Sequence, residues 1–227
     1  QGSEDFSLKA YSAAVGAGQA GVDLGAVDFD GDGKRNIWGS TADTLASIAN
    51  YLKQYGWQNG RDWGYEASIP TNVSCAFEGP DQMRKISQWV QAGVTRISGK
   101  PFPTHEINQE GAILLPAGRY GPVFVATPNF YVIKKYNNSD LYALFVGNVA
   151  DRIQYSNRPF QGKWQSVTGI KRGEVMRMQN GLVKLGYDVG GADGLAGFKT
   201  RRSIGDWQQK NGFTQTCFPS ADLVSRF

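Results

Sequence analysis

The chain has few of the cysteine and histidine residues on which zinc-binding and redox proteins depend. Among 227 residues it has two cysteines, one histidine and three methionines. Cys75 and Cys217 show no CxxC or Cys/His spacing, which argues against a zinc site or a redox motif. They could form a disulfide or remain two buried thiols, and we favour the thiols. No apolar run approaches the length of a membrane span, and we expect His105, in a proline-flanked loop, to be at the surface.

Charge of one sign is not concentrated anywhere in the sequence. The 24 basic and 20 acidic residues give a formal net charge of +4, and the basic residues are dispersed. Nucleic acid is therefore not indicated as a partner, whereas an anionic cell-wall polymer would suit this charge. An apolar content of 41% is enough for the core of a globular chain of one or two domains. Because Gln1 is not an initiator methionine, we expect a mature or trimmed product.

An unusual stretch of the chain is the run DFDGDG. Asp28, Asp30 and Asp32 alternate along it, and Gly33 follows. This spacing turns three carboxylates toward one point, and the glycine permits a sharp bend. The pattern is typical of the beginning of a calcium loop of the EF-hand kind.

The end of this loop departs from the EF-hand pattern. Counted from Asp28, Lys34 supplies the backbone carbonyl, but the twelfth position is Gly39 instead of the closing glutamate. Asp43 is the nearest acid that could fold back, so we expect an atypical loop over 28–43. The alternative is an aspartate-rich surface turn in which Asp43 caps the following helix.

Periodicity and breaker residues divide the rest of the chain into helical and strand-like segments. Apolar residues recur at helical spacing up to Gly56, and alternating segments with Gly and Pro between Tyr65 and Thr127 indicate a small antiparallel sheet. The sequence predicts these helices: 43–55, 81–93 within the sheet region, two after Pro128 separated at 137–139, two in 172–227 around a glycine-rich turn, and a short third near Leu223. We expect Trp207 to pack in the core of the last unit.

The last unit resembles the peptidoglycan-binding domain found at the ends of many cell-wall hydrolases. The matching positions are Met178-Gln179, Leu185 to Gly190, Asp193-Gly194, Gly197, Lys199-Thr200 and Trp207-Gln208. The resemblance implies a small three-helix domain over 172–227 that binds peptidoglycan.

The upstream region is similar to the second half of the membrane-bound lytic murein transglycosylase B family. The segments that carry the similarity are AVDFDGDGKRNIWGSTADTLASIANYL, GYEASIP, LLPAG and GPVFVATPNFYVIKKYNNSDLYALFVGNVADRI. It implies an α+β chain, with part of a lysozyme-like helical core, an atypical calcium loop and an inserted β-subdomain. We expect these boundaries: 1–153 transglycosylase-like, including a β-subdomain at about 62–128, then a linker at 154–171, then the domain at 172–227.

The family resemblance also implies an activity. Its members cleave the β-1,4 bond between N-acetylmuramic acid and N-acetylglucosamine and leave 1,6-anhydromuramic ends, using one glutamic acid as acid and then base. The family's E-[S/T]-x-aromatic-G motif is absent upstream of the calcium loop, and Glu4 does not fit it, so the catalytic residue is not identified. Matches to family motifs suggest sugar contacts for Gln19, Tyr51, Tyr136 and Asn137. For Tyr51, Tyr136 and Asn137 the alternative is core packing or turn formation.

Three interpretations follow from these observations. The first is a lytic transglycosylase represented by its second half, acting as a monomer on glycan strands in the periplasm or cell envelope. The second is a non-catalytic protein or fragment that binds peptidoglycan. The third, a calcium-responsive interaction module, depends on the loop alone and is weakened by Gly39 at the twelfth position.

Overall fold

The computed structural model of the chain describes residues 25–155, 159–167 and 169–227. The expected site residue Gln19, the acid Glu4 and the start of the family similarity lie outside these described residues. The described residues fall into two compact units, the first within Gln1–Arg61 and Pro128–Val146 and the second within Asp62–Thr127 and Gly147–Phe227.

The described part of the chain combines helices with an antiparallel sheet. The helices are α1 Thr41–Gln54, α2 Ile86–Gln91, α3 Pro128–Tyr136, α4 Asp140–Tyr155, α5 Arg172–Lys184, α6 Phe198–Lys210 and α7 Ala221–Val224. The strands are β1 Gly64–Ser68, β2 Arg84–Lys85, β3 Thr95–Arg96, β4 Glu110–Leu114, β5 Pro116–Arg119 and β6 Val123–Ala126. Among these residues, no helix has the length and apolar character needed to cross a bilayer.

The first unit contains α1, α3 and the beginning of α4. Helix α1 begins earlier than the sequence predicts because Ser40 caps it, accepting a hydrogen bond from the Asp43 amide at 3.2 Å. The break between α3 and α4 falls where it was predicted, and the Ser139 hydroxyl accepts from the Tyr142 amide at 3.3 Å. Local capping chemistry therefore determines these helix boundaries.

The second unit is built on a five-stranded sheet with the order β2-β4-β6-β1-β3, in which every neighbouring pair is antiparallel. Strand β4 is buried after its exposed first residue, Glu110, and so is the following Leu115; Ile113 and Leu115 pack with Ile86 and Trp89 of α2. The Trp89 indole donates to the carbonyl of Gly111 at 2.8 Å. The antiparallel sheet predicted from the alternating segments is therefore confirmed.

The helix predicted over 81–93 is shorter in the structure. Pro80–Gln82 forms a 3-10 turn, and Arg84 and Lys85 pair with Gly111 and Glu110 as strand β2. Only Ile86–Gln91 remains α-helical. The helical spacing of Met83 and Ile86 indicated a longer helix. That prediction was wrong because spacing along the sequence contains no information about a partner strand more than twenty residues away.

The prediction of two buried thiols is wrong. Cys75 and Cys217 form a disulfide across a sequence separation of 142, and both are fully buried in the core beneath the sheet. Cys217 belongs to the segment between α6 and α7. The disulfide therefore joins the segment between α6 and α7 to the 3-10 turn Cys75–Phe77 within one compact unit.

Glycines allow the terminal helices to approach the sheet closely. Gly118 in strand β5 has φ +55°, and a side chain there would collide with the carbonyl of Thr216. A side chain at Gly205 would collide with the sulfur of Cys217. The Arg119 amide donates to the Thr216 carbonyl at 2.9 Å, so backbone contacts reinforce the disulfide.

Helices α5, α6 and α7 enclose a second, smaller core. It is formed by Val175, Met178, Leu182, Val189, Ile204, Leu223 and Val224. Trp207 packs beside this core and stacks on Phe213 at 5.4 Å, which supports the packing role predicted for it. Leu185 lies at helical spacing from Leu182, yet it is 59% exposed because α5 ends at Lys184 and Gly186 turns the chain away.

The segment predicted as a linker is bound to the sheet where it is described. The Glu66 carboxylate on strand β1 accepts from the amides of Gln161 and Gly162 at 2.6 to 3.0 Å. The Phe160 ring lies 5.0 Å from that of Phe124, and the Gln165 amide donates to Tyr120. These contacts give a polar, proline-containing segment a defined path along the sheet.

Candidate functional site

The loop before α1 brings three carboxylates together. Oxygen atoms of Asp28, Asp30 and Asp43 all lie within 4.8 Å of one another. The Asp28 carboxylate accepts from the amides of Gly31 and Gly33 at 2.9 and 3.0 Å, so the loop bends around it. Positive φ angles at both glycines permit this bend. The sequence pattern predicted that Asp28, Asp30 and Asp32 would converge, but in the structure Asp43 and not Asp32 joins Asp28 and Asp30.

Asp43 holds the loop against the start of α1. Its side chain is fully buried and accepts from the amides of Phe29 at 2.8 Å, Asn36 at 2.9 Å and Asp30 at 3.4 Å. These backbone donors, Phe29 first, hold the pKa of Asp43 below its usual value. Asp43 therefore closes the loop from the first turn of α1, while the cap itself is Ser40 and not Asp43.

The other expected ligands have different surroundings. The Asp32 carboxylate accepts from the Lys34 amide at 2.8 Å and is not part of the group formed by Asp28, Asp30 and Asp43. Sequence reasoning missed Ser40, whose hydroxyl donates to Asp30 at 2.7 Å. Its spacing from Asp43, Ser-x-x-Asp, is the capping pattern that could have revealed it.

The two tyrosines expected to contact sugar, Tyr51 and Tyr136, form an aromatic group with Tyr142 in the first unit. The Tyr51 ring lies 5.5 Å from that of Tyr136, which stacks on Tyr142 at 6.2 Å. Tyr51 is 5% exposed and its hydroxyl donates to the Lys135 carbonyl at 2.8 Å. Tyr136 is half-buried and Asn137 is exposed. Tyr51 is thus committed to packing, whereas Tyr136 and Asn137 remain accessible.

Burial raises the pKa of each of these phenols above its usual value. For Tyr51 the neighbouring Tyr55 raises it further, and for Tyr142 the neighbouring Tyr136 does so. The hydroxyls are therefore neutral at physiological pH. They can donate or accept hydrogen bonds but cannot act as bases.

The described glutamates of the second unit make structural contacts. Glu78 is fully buried, and its carboxylate accepts from the Arg201 guanidinium at 2.9 Å and from the Leu115 amide at 2.8 Å. Glu66 binds the amides that follow α4, and Glu106 is fully buried beside the exposed His105. The surface position predicted for His105 is confirmed.

The motif positions of the terminal region form a buried network around Gln179. Its amide nitrogen donates to the Leu195 carbonyl and the Thr200 hydroxyl, both at 3.0 Å, and its oxygen accepts from the Gly194 amide at 2.7 Å. Thr200 in turn donates to the Val189 carbonyl. The glutamine, the glycine and the threonine noted in the sequence therefore shape the loop between α5 and α6.

Two protein-family models match successive parts of the chain. The family model described as transglycosylase SLT domain matches residues 22–151, and a peptidoglycan binding domain model matches residues 171–222. The membrane-bound lytic murein transglycosylase B of Escherichia coli (strain K12) is 30% identical over 159 residues, which cover 66% of this chain and 41% of that protein.

Solved structures of similar proteins include SltB3 of Pseudomonas aeruginosa in complexes with NAG-anhNAM-pentapeptide and with NAG-NAM-pentapeptide. SltB3 is 40% identical with a TM-score of 0.78, over 88% of this chain and 54% of that chain. A lytic transglycosylase of Escherichia coli solved in complex with calcium is 29% identical with a TM-score of 0.44, over 57% of this chain and 39% of that chain. The chain thus spans about half the length of these relatives, or less.

Proposed function

The chain belongs to the transglycosylase SLT domain family, and on that basis we propose that it is part of a peptidoglycan lytic transglycosylase. The observation that carries the proposal is the succession of two modules in one chain, a transglycosylase region at 22–151 and a peptidoglycan binding region at 171–222. The likeness to SltB3, whose structures hold NAG-NAM-pentapeptide and its anhydro form, supports peptidoglycan as the substrate.

The proposed reaction cleaves the β-1,4 bond between N-acetylmuramic acid and N-acetylglucosamine and forms a 1,6-anhydromuramic end. It needs one glutamic acid that protonates the leaving oxygen and then takes the proton of the C6 hydroxyl. Glu78 is bound by Arg201 and Glu66 by backbone amides, so we assign this role to neither. This engagement favours a second candidate function, a non-catalytic peptidoglycan-binding protein or fragment.

Domain roles and substrate contacts are part of the same proposal. The transglycosylase-like region at 1–153 would contact the glycan through Gln19, Tyr136 and Asn137, with Tyr51 positioning the Tyr136 ring. The segment at 154–171 would connect it to the wall-binding domain at 172–227. We further propose that the protein acts as a monomer in the periplasm or cell envelope, where peptidoglycan is found.

The test is incubation of the 227-residue chain with purified peptidoglycan sacculi. Mass spectrometry of the soluble products should detect anhydromuropeptides if the chain is itself catalytic. Pelleting with sacculi without such products would identify the binding protein instead. Neither products nor pelleting, with cellulose as the control polymer, would contradict both functions.

We also propose that the loop over 28–43 holds a structural calcium ion. Carboxylate oxygens are the ligands that calcium prefers, and those of Asp28, Asp30 and Asp43 converge in the structure. A bound cation would relieve the mutual repulsion of these charges. The Asp32 carboxylate and the Lys34 carbonyl complete the proposed ligand set. The ion would fix the loop at the start of α1.

Thermal unfolding with and without calcium tests this site. Calcium at a hundredfold excess over its dissociation constant should stabilise the fold by about 2.7 kcal/mol. Asp30→Ala should abolish the calcium-dependent rise in melting temperature. Asp222→Ala in α7 is the control, because it removes an aspartate outside the proposed ligand set, and it should retain the full calcium-dependent rise. Equal melting shifts for Asp30→Ala and the unmodified chain would contradict the proposal.

A further inference from the structure

The region matched by the peptidoglycan binding model, residues 171–222, is here called the terminal module. It belongs to the same compact unit as the sheet, although the sheet lies within the region matched by the transglycosylase model. Helix α6 of the module contacts the 3-10 turn Cys75–Phe77, and its arginines reach the next turn, Pro80–Gln82. We call this contact the seat of the module, and its bonds determine how freely the module can move.

The disulfide of the seat does not act as a hinge, because Cys217 is itself fixed to α6. The side-chain oxygen of Gln208 accepts from the amides of Thr216 and Cys217 at 2.8 and 3.1 Å. Cys217 also packs in the buried core of the sheet, whereas the helices of the module enclose a separate core. The covalent bond therefore connects Cys75, in the sheet core, to a segment that cannot swing freely from α6.

Two arginines of α6 add contacts at other points of the seat. Arg201 is 2% exposed and donates to the carboxylate of the fully buried Glu78 at 2.9 Å. Arg202 donates to the Glu78 carbonyl at 2.6 Å and to the Asp81 carboxylate at 2.9 Å. One bond would allow the module to rotate about it. Because these contacts lie at several residues besides the disulfide, they oppose such a rotation.

The segment that leads into the module is packed along the sheet where it is described. In addition to the bonds from Glu66, a side chain at Gly162 would collide with Pro122. A side chain at Gly121 would lie 3.1 Å from the ring of Trp164. A free connection over 156–171, between α4 and α5, would instead have a root-mean-square length of about 20–24 Å. The connection therefore does not behave as a flexible tether.

We propose that the terminal module is a fixed part of the sheet unit and binds peptidoglycan without moving relative to the sheet. The fixed seat rests on the contacts described above, whereas peptidoglycan as the ligand rests on the proposed function. A tethered binding domain reaches sites over the range of distances that its linker spans. A fixed module instead holds the sheet at one distance and one orientation from the glycan strand that it binds.

Distances between two spin labels, measured by double electron–electron resonance, test the seat. The labels are placed at Thr95→Cys on β3 and Lys184→Cys at the end of α5, which are exposed positions, while Cys75 and Cys217 are protected in their disulfide. The control pair, Thr95→Cys with Glu110→Cys on β4, lies within the sheet and gives the width contributed by the labels. The first pair should show one distance, with a distribution no wider than that of the control pair. A tethered module would spread the distances over about 20 Å.

The same pairs are then measured with purified peptidoglycan sacculi added. An unchanged distance in the protein that pellets with the sacculi supports the fixed module. A broad distribution in the free protein, or a second distance in the bound protein, would overturn the proposal. Failure to pellet contradicts wall targeting, and the distribution in the free protein then still decides whether the seat is fixed. The two failures are therefore distinguishable.

Discussion

Removing the Cys75–Cys217 disulfide should strongly destabilise the second unit. The bond closes a loop across a sequence separation of 142. The chain-entropy relation for a loop of this length gives a loss of about 5 kcal/mol in the free energy of unfolding. We chose the double variant Cys75→Ala/Cys217→Ala because it leaves no free thiol in a core where both positions are fully buried.

Thermal unfolding followed by circular dichroism measures the effect. At about 2–4 °C for each kcal/mol in a domain of this size, the melting temperature should fall by about 10–20 °C. A reductant should lower the melting temperature of the unmodified chain to a similar value and leave the double variant unchanged. A fall of less than about 3 °C, well short of the loop-closure estimate, would refute the reasoning.

Two further predictions concern contacts between the sheet and the terminal helices. Glu78→Gln should lower the free energy of unfolding by about 3–5 kcal/mol in urea titrations, because it leaves Arg201 buried without its charged partner. The double variant Glu78→Leu/Arg201→Met should recover much of that loss. A Glu78→Gln variant as stable as the unmodified chain would contradict the role of Glu78 as the partner of buried Arg201. Hydrogen bonds from Arg202 hold the pKa of Asp81 below its usual value. Since the folded pKa lies below the unfolded value near 3.8, this contribution is present above that value and is lost as pH falls through the folded pKa. Asp81 is 53% exposed, so the ion pair contributes at most about 1 kcal/mol. On acidification the Asp81→Asn variant should therefore lose about 1 kcal/mol less stability than the unmodified chain. The same acid loss in both proteins would argue against it.

Local chemistry explains which elements could be predicted. The extent of α1 and the break between α3 and α4 follow from apolar spacing, from Gly56 and from the serine caps, all within a few residues. The short helix α2 was predicted too long because Arg84 and Lys85 pair with β4, whose position depends on the fold of the whole sheet. A helical pattern cannot show that competing partner.

In the candidate calcium loop, sequence spacing predicted only some of the side chains that converge. Alternation of Asp28 and Asp30 was enough to predict that their carboxylates converge, and Asp43 was within reach as the nearest later acid. Asp32 obeys the same alternation, yet its carboxylate binds the Lys34 amide. Which acid faces the centre depends on backbone angles at the intervening glycines, and spacing alone does not specify them.

The sequence by itself determined the family, the helical and strand-like segments and the acidic loop, because each is encoded by residues close together in the chain. Tertiary structure alone decided that Cys75 meets Cys217, that Glu78 meets Arg201 across 123 positions, and that Glu66 binds the amides of Gln161 and Gly162. These partners are set by strand order and by the docking of the terminal helices. Propensity and periodicity report only neighbours along the chain, so they carry no information about such contacts.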